Sequence, residues 1–322
     1  MARRYRNKIV NLIIHNQFFY YIVFPGLIFS SLVGVILSWI DRKITARIQW
    51  RKGPPWYQPI VDILKLFGKE IIIPEHGNEI LFLLAPFFAL SATIFAGVLI
   101  LLPNLVSPNI INSDLILIIY LLMIPGFSAI IGGSVSSNPL ASLGLSRDMK
   151  IIISYELPLI LALFTPLIKN GGLANFGSML AYQSQNGMML RNPSCIIAFI
   201  VAILCINAKL GGVPFDFPEA ETEIMSGTYI EYSGLPLALF KLTKMILTFI
   251  LPVFLITIFM NGFQFTGIKI LTSILKFLMI FVIIILIKVT NPRLRVDQAF
   301  KFFWFYLTGF ALLGIILAYL GV

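Results

Sequence analysis

Apolar runs broken by short polar segments give this chain its plan. A run of about 18 or more apolar residues is long enough to cross the hydrocarbon core of a bilayer. Such runs occupy Phe18–Ile40, Ile80–Leu105, Leu115–Gly133, Ile151–Ile168, Leu235–Met260, Ile270–Lys288 and Phe302–Val322. Pro193–Ala208 has the same character but only about 16 residues, short for a core of about 30 Å. The pattern predicts an all-α polytopic membrane protein with about eight transmembrane helices, built as one membrane domain over residues 1–322.

Two polar sections and the N-terminus complete the plan. Asp41–Glu79 contains Pro54, Pro55, Pro59 and Pro74. Within it Ile60, Ile63, Leu64, Phe67 and Ile71 recur at helical spacing, while Asp62, Lys65 and Lys69 take the other face. That predicts an amphipathic helix from Tyr57 to Ile73, lying at the membrane interface or against partner protein. The second section, 209–234, is acidic. Met1–Asn16 is a short basic extension without the apolar core and cleavage site of a secretory signal.

Composition adds one exclusion. With 58% hydrophobic and 12% charged residues, a chain of 322 residues has too little polar surface to cover a soluble globule. Cys195 and Cys205 share one apolar segment and read as small buried hydrophobes. No CxxC or Cys/His spacing suits an iron–sulfur cluster, haem or zinc, so no metal or cofactor is expected on this chain. Electron carriers would sit on partners. A net charge of +10 points to loop orientation rather than to nucleic acid.

Charge then orients the spans. The side holding Asp41–Glu79 also receives the loops after spans three, five and seven. It carries Arg42, Lys43, Arg47, Arg51, Lys52 and Lys65 among many cations, whereas the opposite loops offer Lys169, Arg191 and Lys269. The positive-inside rule makes the first side cytoplasmic in a cell (inner or plasma) membrane. The basic N-terminus falls on the outer side, against the rule. Either it lies along the interface, or the first span is placed elsewhere. Positive charge beside a membrane exit commonly meets anionic lipid, and it also suits partner protein.

Acids concentrate between Gly211 and Tyr232, where Asp216, Glu219, Glu221, Glu223 and Glu231 fall in a chain with 14 acidic residues. If Pro218 opens a helix, Glu219 and Glu223 are i, i+4 neighbours and repel. Repulsion and desolvation both favour the protonated form, so the cluster is expected to hold a proton near neutrality and titrate as a group. The plain alternative is a solvated loop paired with Arg47, Lys209 or partner cations. Two charges fall inside spans. Glu156 lies about two turns into span four, where a lone carboxylate is costly unless protonated or paired with Lys150, Lys241 or Lys244. Lys276 lies in span seven and needs a partner, a water cavity or a route to the interface.

The motifs have a familiar order. Asp41-Arg42-Lys43, Arg51-Lys52-Gly53-Pro54, Gln58-Pro59 and Asp62…Lys65-Leu66…Lys69-Glu70 come first. Ser154-Tyr155-Glu156, Pro214-Phe215-Asp216…Glu219-Ala-Glu221-Thr-Glu223, Glu231-Tyr232 and Pro292-Arg293…Arg295…Asp297-Gln298 follow. Together they resemble the heel subunit of respiratory complex I, in its mitochondrial and bacterial forms, from the first span to the eighth. The sequence departs from that pattern at Asp41, where the family usually has Glu.

The resemblance implies a subunit that docks the membrane arm onto a peripheral arm, forms a quinone-access chamber and starts a charged axis toward antiporter-like subunits. Asp216, Glu219, Glu221, Glu223 and Glu231, with Glu156, would form its acidic proton funnel. Lys241, Lys244 and Lys276 would extend the charged axis. Asp41, Arg42, Lys43, Arg47, Arg51, Lys52, Asp62 and Lys65 would meet peripheral subunits. Ile72-Ile73-Pro74, Ser136-Ser137-Asn138-Pro139…Ser146-Arg147-Asp148-Met149-Lys150 and the run from Gly234 to Lys244 are more similar to the homologous subunit of ferredoxin-linked group 4 membrane-bound [NiFe] hydrogenases and their sulfur-reducing relatives. That branch implies hydrogenase-like large and small subunits and iron–sulfur subunits as partners, with the iron–sulfur clusters and the [NiFe] centre held there. A self-standing transporter is the competing class, but it would show inverted or parallel repeats, and the sequence has no internal repeat.

Overall fold

The computed structural model describes residues 17–74, 77–105, 113–217, 225, 227–264 and 267–321. Its helices are α1 (Gln17–Ile22), α2 (Leu27–Ile48), α3 (Gln58–Phe67), α4 (Glu79–Leu105), α5 (Leu115–Val135) and α6 (Pro139–Lys169). They continue as α7 (Phe176–Asn186), α8 (Pro193–Lys209), α9 (Gly234–Phe259), α10 (Lys269–Thr290), α11 (Val296–Lys301) and α12 (Thr308–Tyr319). A π-helical turn, Phe302–Leu307, joins α11 to α12.

Seven helical segments among the described residues are long and apolar enough to cross a membrane, and Pro193–Lys209 is a shorter apolar helix. The protein is thus an all-α, multi-pass membrane protein. The first predicted span is broken between α1 and α2, where Pro25 supplies no N–H and its carbonyl accepts from Ser30 Oγ at 2.7 Å. α2 runs on to Ile48, so Asp41, Arg42, Lys43 and Arg47 stand on its last turns and not in the expected loop. α6 likewise begins at Pro139, with Asn138 capping it through Leu140 N at 2.8 Å. The amphipathic helix covers Gln58–Phe67, shorter than Tyr57–Ile73, and ends at Gly68. Met1–Asn16, including its expected interfacial placement, lies outside the described residues.

α9 is the axis of the bundle. The most apolar window of α9 is 83% buried, against 28% for the C-terminal span. It packs on α2 and α4, while α6, α8 and α12 form the neighbouring layer. One contiguous apolar core links them, with Phe176, Phe254, Phe259 and Phe303 fully buried. α7, absent from the hydropathy plan, closes the end opposite the cationic loops. Asn175 caps α7 through Gly177 N at 2.9 Å, and its buried face is Phe176, Met179, Leu180 and Gln183.

The basic face is tied together by loop contacts. Ser233 Oγ donates to Glu70 O at 3.1 Å and accepts from Ile72 N at 2.9 Å. Leu294 N donates to Pro214 O at 3.3 Å, and the Arg293 guanidinium donates to Asp216 O. The tightest clasp is Tyr232. Pro86 has no N–H to offer the carbonyl of Phe82 one turn back, and Tyr232 Oη donates to that carbonyl at 3.1 Å. The two rings stack with centroids 4.1 Å apart, and burial pushes the Tyr232 phenol pKa well above its ordinary value. Gly132 makes room for this: a Cβ there would meet Tyr232 Oη at 2.0 Å.

Candidate functional site

The most deeply placed charges are a pair. Glu156 Oε1 accepts from Lys209 Nζ at 2.5 Å, and the two side chains are 6% and 5% exposed. Because α6 begins at Pro139, Glu156 lies about 26 Å along the helix from that end, at about 1.5 Å per residue. Lys209 is the last residue of α8, where the negative end of the helix dipole favours a cation. Its ammonium also lies 5.6 Å from the centroid of the Tyr155 ring. The partner of Glu156 is therefore Lys209, not Lys150, Lys241 or Lys244. α6 and α8 pack side by side, and that neighbourhood decides the pairing. Glu156 Oε2 is buried without a hydrogen-bond partner in the structure, so half of the carboxylate is held and half is available to a proton or a donor.

Two cavities share a wall beside this pair, and the smaller of them is lined by Lys209. The inner one, about 90 Å³, is lined by Asp148, Tyr155, Lys209, Thr243 and Lys244 among others. It is large enough to hold several waters. The outer one, about 480 Å³, lies between α2 and α9 and is lined by Ser38, Asp41, Arg42, Lys241, Lys244 and Thr248, with Tyr229 and Phe240. Lys244, Tyr229 and Phe240 belong to both walls. A polar sequence thus runs from the chamber past Lys244 to Lys209 and Glu156.

The other predicted site residues divide into several sets. Asp41 accepts from Lys288 Nζ at 2.7 Å, and Arg42 donates to Asp62 at 3.0 Å, linking α2 to α3 and α10. Arg47, Arg51, Lys52 and Lys65 are exposed on the basic face, and Lys43 is partly covered there. Glu231 Oε1 accepts from Asn138 Nδ2 at 2.5 Å, which fastens the acidic segment to the start of α6. Asp216 is partly buried beside Phe215, whose ring lies 4.8 Å from that of Phe303 on the π turn. Glu219, Glu221 and Glu223 lie outside the described residues.

Lys276 is not brought to this cluster. Its Nζ donates to Met260 O at 2.6 Å, at the far end of α9 from Lys241 and Lys244. There it joins a capping network in which Asn104 Nδ2 donates to Thr257 Oγ1 at 3.0 Å and Gln183 Nε2 to Ile258 O at 2.8 Å. Sequence reasoning left Lys209 and Asp148 out of the site, and it gave the Tyr232 clasp no role. The one available signal was the position of Lys209 at the end of an unusually short span. Among the described residues no group of three His, Cys, Asp or Glu side chains is placed to hold a metal ion.

Fold and site define a multi-pass membrane protein that keeps charge inside its helical bundle. A family profile described as NADH dehydrogenase matches residues 21–319. The H subunit of NADH-quinone oxidoreductase from Geobacillus sp. (strain WCH70) is 32% identical over 310 residues, covering 90% of this chain and 90% of that protein. Its counterpart in Dehalococcoides mccartyi (strain CBDB1) is 30% identical over 316 residues, covering 94% of this chain and 86% of its own. A solved chain from the membrane-bound sulfane sulfur reductase, an archaeal respiratory membrane complex, matches with a TM-score of 0.81 at 30% identity, over 90% of this chain and 96% of that one. This chain belongs to the heel-subunit family of respiratory complex I.

Proposed function

We propose that this chain is the membrane-anchoring and coupling subunit of an energy-converting respiratory complex of the membrane-bound hydrogenase type. It docks a peripheral catalytic arm on its basic face and links the redox reaction there to proton or sodium translocation. The electron donor on this reading is ferredoxin, and the complex metabolises hydrogen or sulfur. Large and small hydrogenase-like subunits and iron–sulfur subunits hold the redox centres, and antiporter-like subunits adjoin in the membrane. The charged loops face the cytoplasm from the cell membrane.

The observation that carries this reading is the buried Glu156–Lys209 pair, joined to the basic face through the Lys244 wall. A charge change at the peripheral arm reaches the pair through the low-dielectric interior, where charges interact more strongly than in water. Glu231 is fastened to Asn138 at the start of α6, and Tyr232 to the Phe82 carbonyl of α4. Similarity to a chain of a sulfane sulfur reductase supports the branch of membrane-bound hydrogenases and their sulfur-reducing relatives. A second reading, the quinone-chamber subunit of complex I, is favoured by the 480 Å³ chamber and by the names of the curated relatives.

Purification in mild detergent and identification of the co-migrating subunits tests the choice. A hydrogenase-like large subunit with iron–sulfur subunits is expected. Co-purifying NADH-binding flavoprotein subunits would overturn the reading in favour of complex I.

A further inference from the structure

The loop between α2 and α3 carries a side chain that the packing of this chain leaves without a role. Trp50 is 97% exposed. Its backbone is also unusual. α2 ends in a Schellman turn, in which Trp50 N donates to Arg47 O at 3.2 Å and Arg51 N to Ala46 O at 2.7 Å. Trp50 takes the left-handed position of that turn, with φ 59°, where glycine is the usual residue. A bulky apolar side chain on a disfavoured backbone position, held out from the chain, points to a contact outside it.

The loop keeps this residue in place. Gly53 lies against α2, where a Cβ would meet Lys43 Cδ at 2.8 Å, and Trp39 Nε1 donates to Pro54 O at 3.2 Å. The chain thus leaves α2, turns at Trp50 and folds back along the same helix. A group held in advance loses little freedom on binding.

Height separates a protein partner from the bilayer. Asp41 accepts from Lys288 Nζ at 2.7 Å, so the first charge of α2 and the last-turn lysine of α10 mark one level where both spans leave the apolar layer. Trp50 stands further along the same helix by about 14 Å, at about 1.5 Å per residue. A headgroup layer is about 5–8 Å thick, and a tilt of about 40° would still leave about 10 Å. Trp56 and Tyr57 differ. They precede α3, which the Arg42–Asp62 pair at 3.0 Å ties to the exit level, the height of an interfacial aromatic belt. The bilayer therefore accounts for Trp56 and Tyr57 but not for Trp50.

Charge gives the partner's chemistry. Between Asp41 and Asp62 the sequence holds Arg42, Lys43, Arg47, Arg51 and Lys52 and no acid. Arg47, Arg51 and Lys52 are exposed on either side of Trp50 in the chain. Trp and Arg are among the residues that most often anchor protein interfaces. We propose that Trp50 is the anchor by which this chain holds a peripheral-arm subunit, seated in an apolar socket with an acidic rim. The proposal rests on the docking reading above and names the contact within it.

The test uses the whole complex in lipid nanodiscs. Hydroxyl-radical footprinting with mass spectrometry reads the oxidation of Trp50, which is expected to be protected in the wild-type complex. Trp50→Gly removes the indole and suits the backbone, so peripheral subunits should dissociate about thirtyfold faster, the scale of an interface hot spot. Unfolding of this chain, read by thiol labelling of the buried Cys195 and Cys205 on heating, should then be unchanged or shifted upward. Trp50→Phe, which keeps an aromatic ring, should fall between wild type and Trp50→Gly in dissociation rate. Oxidation of Trp50 in the intact complex overturns the proposal. So does subunit loss accompanied by easier unfolding, which marks a structural role. Protection of Trp50 with wild-type dissociation in Trp50→Gly assigns the side chain to the bilayer and overturns the partner. Absence of any co-purifying peripheral subunit from the wild-type preparation is a separate result, which overturns the docking reading as well.

Discussion

Lys209 Nζ sits 2.5 Å from Glu156 Oε1 at the junction of α8 and α6, and water reaches little of either side chain. Removing one partner from a buried pair leaves an uncompensated charge and costs about 3–5 kcal/mol. Glu156→Gln and Lys209→Met should each destabilise the protein by about that amount. The double variant should be less destabilised than the sum, because neither charge is then left alone. Thermal unfolding of the purified complex in a double-mutant cycle measures this. Additive losses would show that the two side chains do not act as a pair.

The Tyr232 clasp makes a second prediction. Tyr232→Phe keeps the ring stacked on Phe82 but leaves the Phe82 carbonyl without a donor, at a cost of about 1–3 kcal/mol. Gly132→Ala places a methyl 2.0 Å from Tyr232 Oη and should displace the loop that carries Glu231. Limited proteolysis of the 211–234 segment reads this out, with faster cleavage expected in Gly132→Ala than in wild type. Unchanged protection would show that the clasp does not hold the loop.

How much of this was legible beforehand follows from what each residue had to satisfy. The spans are readable because a bilayer demands long apolar runs, and Pro193–Ala208 stands out by its short length. The end of α2 was not, since Asp41, Arg42 and Lys43 resemble a loop start, although Ile44 and Ile48 continue the helical period. α7 was missed because Gln183 occupies its buried face, and its role there is to donate to the end of α9. The pairing of Glu156 was out of reach because Lys209 is 53 positions away in sequence and meets it only when α6 and α8 pack. The acids at 219, 221 and 223 were the most visible feature of the sequence and lie outside the described residues.

Lys276 separates structural from coupling charge. Its bond to Met260 O closes the C-terminal end of α9, an end whose last carbonyls lack helical partners. Lys276→Met should lower stability by about 1–3 kcal/mol and leave the ratio of ions moved to electrons transferred unchanged. Measuring both on the same vesicles decides it. A lowered ratio at normal stability would instead put Lys276 on the ion route.

The exposed cations Arg51 and Lys52 should serve docking rather than folding. Surface charge contributes little to stability but steers association in a salt-dependent way. The Arg51→Glu/Lys52→Glu double variant should fold and insert normally yet lose peripheral subunits during purification, with the deficit relative to wild type largest at low ionic strength, where surface charge is least screened. Undiminished recovery of the whole complex would place the docking surface elsewhere.

The central claim is that Glu156 carries charge between the redox reaction and ion movement. It is tested most directly in sealed vesicles containing the whole complex with Glu156→Gln, by following substrate turnover and ion uptake together. Turnover is expected to persist when measured with an uncoupler, while redox-driven ion uptake measured without it falls to background. Ion uptake at the wild-type ratio to turnover would contradict the claim.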